Sequence, residues 1–221
     1  MVTSSSRAVF FDVDGVLLDS LPQHLSFCEL KATEYGLEKV RVPSSHEFKN
    51  MVRNGVRVSP MINFFLSVGF PRSQADRAVR EYDRDFAIQF PPKQFAGIGE
   101  MLGRLRSVGF SLGLVTSNVR KNVESGLKDL ITYFDARCLF YFDHDLERKD
   151  KRSYLLEGAQ VLGLMRASCT YVGDQPGDAA AAHAADVRFL GVSYGWGFGV
   201  SDTAETVVDS VDEIANVLIR T

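Results

Sequence analysis

Short apolar runs that break off on acidic, hydroxylated or amide residues recur along the chain, and stretches of helical character separate them. The first run, Ala8-Val9-Phe10-Phe11, ends on Asp12-Val13-Asp14-Gly15. Another, over 110–115, ends on Thr116-Ser117-Asn118 just ahead of a helical stretch at 119–130. A strand-like run at 136–142 feeds the basic cluster Arg148-Lys149-Asp150-Lys151-Arg152, which opens a helix over 152–163. The run at 169–173 ends on Asp174. Pro176 then suits a first helical position, and the alanine-rich 179–185 favours helix. A helix at 97–109 precedes the 110 strand; a strand at 187–192, a short one near 206–208 and a helix at 211–219 close the series. Such strand–helix alternation predicts an α/β fold with a doubly wound parallel sheet, the strand that leads into Asp12 lying near its centre.

Between residues 21 and 91 the alternation stops. Helical stretches are expected there near 22–36, 46–54, 58–68 and 73–89, with no strand between them. Ser73-Gln74-Ala75-Asp76 reads as a capping box for the last of them. Pro91-Pro92 marks the return to the alternating part. The predicted organisation is a core of residues 1–20 and 92–221 with an all-helical cap, 21–91, inserted through two hinges.

The polar ends of the strands carry the candidate chemistry. Residues i and i+2 of an extended segment share a side, so Asp12 and Asp14 can project together. Adjacent carboxylates repel unless a cation or a shared proton relieves them. A hard, oxygen-seeking ion such as Mg²⁺ meets that need, with one carboxylate left to act as a nucleophile. Asp178, one helical turn into the stretch after Asp174, faces back toward it. Thr116, Ser117 and the unpaired N–H groups of the following helix start suit a phosphate.

Taken together, Asp12-x-Asp14-Gly15-x-x-x-Asp19-Ser20, Val115-Thr116-Ser117-Asn118, a lysine near 149, and Gly173-Asp174-x-x-x-Asp178 resemble the haloacid dehalogenase-like superfamily. The closest likeness is to its phosphoglycolate-phosphatase-like branch, which has a Rossmann-like core and a helical cap. The resemblance implies Asp12 as a nucleophile forming an aspartyl-phosphate, and Asp14 as the acid and then the base. It implies Mg²⁺ held by Asp12, the Asp14 carbonyl and Asp174. Asp178 would hold one of the metal's waters or orient the lysine. Thr116, with donors near Ser117 and Asn118, would bind phosphoryl oxygens. Lys-Pro is usual at the lysine site, whereas this chain reads Lys149-Asp150-Lys151; counting back from Leu155-Leu156 selects Lys149, with Lys151 the runner-up. Gln175 stands where a small hydroxyl residue is common.

The activity this implies is Mg²⁺-dependent hydrolysis of a small phosphomonoester, phosphoglycolate-like, by a phosphatase. Two alternatives stay open: a sugar-phosphate mutase of the β-phosphoglucomutase type and a catalytically silent phosphate-binding protein of the same fold. Phosphonate hydrolysis would need a Schiff-base lysine in the cap, for which Lys31 and Lys49 lack a desolvating context. Dehalogenation is disfavoured by Asp14. In the cap, Arg53, Asn54 and Arg57 are candidates for a substrate carboxylate or second phosphate. His24 is assigned no catalytic role.

The remaining composition narrows the partners. A net charge of −3 without a basic, aromatic-interleaved stretch argues against nucleic acid, leaving a small phosphorylated metabolite. Cys28, Cys138 and Cys169 are odd in number and widely spaced, which fits neither a disulfide framework nor a zinc site and points to a reducing cytoplasm. No apolar stretch of membrane-spanning length is present, the first seven residues do not read as a secretion signal, and the expected state is a monomer or homodimer.

Overall fold

A computed structural model describes residues 7–142, 150–199 and 205–220. Six parallel strands form the main sheet: β1 (Ala8–Phe11), β4 (Ser111–Val119), β5 (Leu139–Phe142), β6 (Cys169–Gly173), β7 (Arg188–Val192) and β8 (Val207–Val208). Their order is β5-β4-β1-β6-β7-β8. β1 therefore sits inside the sheet, in register with β4 through Phe11↔Leu114 and with β6 through Phe11↔Val172. The order turns back at β1, where an open α/β sheet forms its ligand crevice.

Side-chain alternation explains how β1 is buried on both faces. Val9 and Phe11 point into one apolar cluster with helices α5 (Ile98–Ser107), α6 (Arg120–Leu127) and α9 (Val211–Arg220). Ala8 and Phe10 point into the other, with α7 (Lys151–Leu162) and α8 (Pro176–Ala184). A strand covered on both sides needs a continuous apolar run, which is what 8–11 supplies.

Residues 21–89 hold four helices, α1 (Leu21–Glu34), α2 (Ser45–Arg53), α3 (Met61–Val68) and α4 (Arg72–Gln89). They share an apolar cluster that includes Phe27, Phe48, Phe64, Phe65 and Phe86. Each such ring contributes about 1.5–3 kcal/mol on burial, so this layer has a core of its own. The capping box expected at Ser73–Asp76 does not form: α4 begins at Arg72 after Pro71, with no side-chain cap. Proline already supplies the extended entry, so Ser73 falls inside the first turn. The capping box present in this layer is Ser44 with Glu47, at the start of α2.

Two short strands were not anticipated from the sequence. β2 (Leu18–Asp19) and β3 (Lys93–Gln94) pair antiparallel where the chain leaves and re-enters the core. Two-residue strands leave no periodicity to read. The strand-like 136–142 begins as a 3-10 turn at Ala136–Cys138, and the helix expected over 119–130 ends at Leu127 and tightens to 3-10. No helix among the described residues is long and apolar enough to cross a membrane.

Candidate active site

The strand ends open into a cavity of about 1450 Å³ between the sheet and the helical layer, lined by Asp12, Asp14, Thr116, Ser117, Asn118, Lys151 and Asp178. Asp12 follows β1 directly and is 5% exposed. Its N–H donates to the Val172 carbonyl at 2.9 Å, which carries the ladder with β6 one residue beyond the strand. Val13 N–H donates to Oδ1 at 2.8 Å and Lys151 Nζ to Oδ2 at 2.7 Å. Burial pushes the Asp12 carboxyl up to about 6 even though Lys151 opposes the rise; Asp178 and Asp14 add to it.

Asp14 sits in a tight turn in which Gly15 takes a left-handed φ of +79° and donates its N–H to Leu18 O. Asn118 Nδ2 donates to Asp14 Oδ2 at 2.8 Å, whereas Oδ1 is buried without a hydrogen-bond partner among the described residues. Thr116 is buried, and its Oγ1 accepts from the Asn118 N–H at 3.2 Å. The end of β4 thus presents Thr116, Ser117 and Asn118 beside the end of β1.

Lys149, the lysine selected by counting, lies outside the described residues. Among the described residues, the lysine that meets the carboxylates is Lys151, the runner-up. Asp150 caps α7 by accepting from Ser153 N–H at 2.8 Å, which makes Lys151 its first residue. Helical side chains lean toward the N-terminus, so Lys151 reaches back over the strand ends. Its Nζ donates at 2.7 Å to both Asp12 Oδ2 and Asp178 Oδ1. Burial opposes its charge, but Asp12 and Asp178 outweigh burial and hold its pKa well above the ordinary lysine value. The Lys151 side chain is only 18% exposed, withdrawn from solvent into the site.

Asp174 follows β6 and is fully buried. Trp196 N–H donates to its Oδ2 at 2.6 Å, while Oδ1 has no partner among the described residues. Burial, then Asp178 and Asp12, raise its pKa well above the carboxylate range. Both Asp178 oxygens are engaged, Oδ1 by Lys151 and by the Tyr171 hydroxyl at 3.3 Å, and Oδ2 by the N–H groups of Asp174 and Gln175. One oxygen each from Asp12, Asp174 and Asp178 lie within 4.8 Å of one another. Three buried carboxylates around one lysine leave negative charge uncompensated, and the orphaned Asp174 Oδ1 is an acceptor with nothing to accept. An all-oxygen set of this kind fits a hard divalent cation such as Mg²⁺.

A family model described as "Haloacid dehalogenase-like hydrolase" matches residues 9–192. The chain belongs to that family. Among curated relatives, it is 27% identical to an N-acetylmuramic acid 6-phosphate phosphatase of Pseudomonas putida, covering 96% of each chain. It is 29% identical to a phosphoglycolate phosphatase of Xanthomonas campestris pv. campestris, covering 94% of this chain and 92% of the relative. The crystal structure of a predicted phosphatase from Clostridium acetobutylicum superposes with a TM-score of 0.78 at 22% identity, covering 99% of this chain and all of that one. That likeness bears on the fold, which is the Rossmann-like α/β arrangement expected for the family.

Cap residues meet the site in ways the sequence did not announce. His24 is 2% exposed; one ring nitrogen lies 2.7 Å from Ser20 O and the other 2.9 Å from the Tyr82 hydroxyl. Burial lowers its pKa, opposed by the Asp14 charge, so a neutral ring lines the cavity. Of the three cap candidates, Arg57 lines the cavity, whereas Arg53 donates to Phe198 O at 3.1 Å and the cavity lining does not include Asn54. Arg80, on α4, lines it too and had no local signal in the sequence. Lys31 is buried in ion pairs with Glu34 and Glu81, away from the cavity.

Proposed function

We propose that this family member is a Mg²⁺-dependent phosphatase acting on the phosphomonoester of a small carboxylic acid, through an aspartyl-phosphate on Asp12. The observation that carries the reading is the meeting of Asp12, Lys151 and the partnerless oxygens of Asp14 and Asp174 in and against one cavity. Asp12 attacks phosphorus, forming its P–O bond as the bond to the leaving oxygen breaks. Asp14 gives that oxygen a proton and then takes one from the water that opens the aspartyl-phosphate. Lys151 neutralises Asp12 and the charge on the phosphoryl oxygens, while Asp178 holds Lys151 in place. Thr116 and the N–H groups of Ser117 and Asn118 receive the phosphoryl group. Asp12, the Asp14 carbonyl and Asp174 would hold Mg²⁺, which supplies charge neutralisation for phosphoryl transfer when bound.

The cap side of the cavity supports the choice of leaving group. Arg57 and Arg80 line it with no ion pair or hydrogen bond among the described residues, whereas the charge of Arg72 is engaged by Asp76 at 3.3 Å. Asp83 also lines this wall. Guanidinium forks recognise carboxylates in bidentate fashion. The names of both curated relatives denote phosphates of carboxylic acids. The volume exceeds the roughly 300–1,000 Å³ of ordinary small-molecule pockets, which leaves room for an acid larger than glycolate.

The test is phosphate release by wild type and Asp12→Asn from phosphoglycolate, sugar phosphates, phosphosugar acids and nucleotides, with and without Mg²⁺. Mg²⁺-dependent release that is absent in the variant and favours carboxylated esters is expected. Wild type that releases phosphate from none of them would overturn the reading.

A further inference from the structure

The loop at 193–198 follows β7 in the core, yet the Trp196 ring joins the apolar cluster of the helical layer. Its centroid is 5.3 Å from that of His24, 6.0 Å from Phe64 and 6.1 Å from Phe48. In the other direction its N–H donates to Asp174 Oδ2 at 2.6 Å, and the N–H groups of Gly197 and Phe198 donate to the Asp174 carbonyl at 3.0 Å. Helix α2 grips the same loop from above: Lys49 Nζ donates to Tyr194 O at 3.0 Å and Arg53 to Phe198 O at 3.1 Å. A Cβ on Gly195 would lie 2.3 Å from Asp174 Cβ, so glycine alone lets the loop press this closely.

We propose that this loop couples the seating of the cap to the metal-binding carboxylate of Asp174, with Trp196 the positioning residue and Lys49 and Arg53 the cap's grip on it. The inference rests on the Mg²⁺ site proposed above. The Trp196 N–H holds Oδ2 and leaves Oδ1 as the oxygen available to a cation. When the cap releases the Trp196 ring, the donor loses its anchor and the carboxylate is free to rotate. Linkage makes the effect reciprocal: a cation that requires this pose of Asp174 also favours the seated cap.

Trp196 is the chain's single tryptophan, so its fluorescence reports the loop directly. Mg²⁺ is titrated into the metal-free full chain and followed by fluorescence and calorimetry, for wild type, Asp174→Asn and the double variant Lys49→Gln/Arg53→Gln. Circular dichroism checks that each is folded. Wild type is expected to show a saturable tryptophan response that Asp174→Asn lacks. The double variant is expected to bind Mg²⁺ about fivefold or more weakly, with a smaller response. Equal Mg²⁺ affinity in the double variant, or Mg²⁺ binding to wild type with no tryptophan response, overturns the coupling alone. Wild type that binds no Mg²⁺ overturns the metal site, and the coupling with it.

Discussion

Across one cavity, Asp12, Asp174 and Lys151 stand on elements pinned by the parallel sheet, whereas Arg57 and Arg80 stand on cap segments held by aromatic packing. On the sheet side each carboxylate is buried and bound by backbone donors, as Val13 N–H binds Asp12 and Trp196 N–H binds Asp174. On the cap side both guanidiniums are exposed and engage nothing else among the described residues. On the proposed reading, the difference separates chemistry from selection. A displaced nucleophile forfeits the in-line geometry on which the rate depends, so its position is over-determined. A recognition group that must adapt to a leaving group needs only a stable platform and a free end.

Breaking the sheet side is expected to have the largest effect. Asp12→Asn, which removes the proposed nucleophile, is expected to lower turnover of every substrate by about 10⁴-fold or more, read as phosphate release at saturating Mg²⁺. Lys151→Met comes next, with kcat falling by about 10²–10³-fold, because Asp12 and the phosphoryl oxygens lose their neutralising partner. Lys149→Met run in parallel should stay within a few-fold of wild type, and the reverse ranking would return the role to Lys149.

Breaking the cap side should be gentler and selective. Arg57→Gln/Arg80→Gln is expected to lower the ratio of kcat/KM for a carboxylated ester over its neutral counterpart by about tenfold, the order of one lost charge-assisted contact. An unchanged ratio, measured on a matched pair such as phosphoglycolate and the monophosphate of ethylene glycol, would remove these arginines from recognition.

The smallest effect is on stability in the metal-free protein. Asp12 has a folded-state value of about 6 against an ordinary 3.8, so between those values the folded chain binds more protons than the unfolded one. Stability contributed by this group is therefore present below about pH 4 and is lost as pH rises through about 6. The difference in stability between wild type and Asp12→Asn, from denaturant titrations without metal, should show this loss, and saturating Mg²⁺ should offset it by taking the proton's place. A wild type that gains stability relative to Asp12→Asn across this window would contradict the buried, repelled state of Asp12.

Legibility in the sequence followed the same divide. Asp12, Thr116 and Asp174 each end an apolar run, and a parallel sheet brings such ends together whatever the connections between them. Lys151 was harder to place because two lysines flank Asp150, and the choice depends on which residue starts the helix. The Asp150 cap, through its bond to Ser153, sets Lys151 as the first residue of the helix, a signal present in the sequence beside the count from Leu155-Leu156. Arg80 had no comparable local mark, since its importance arises from facing a shared cavity.

By itself, the sequence determined the order of the strands and helices other than the two-residue β2 and β3, and the acid, hydroxyl and amide residues at the strand ends. Those features depend on side-chain periodicity and on residues near in the chain, so short segments carry them. Only the tertiary structure decided that Lys151 bridges Asp12 and Asp178, that Arg57 and Arg80 face the site, and that Trp196 joins Asp174 to the cap. These pairings depend on how the helical layer packs on the sheet, and packing is set by the summed shape of many distant side chains rather than by any one motif.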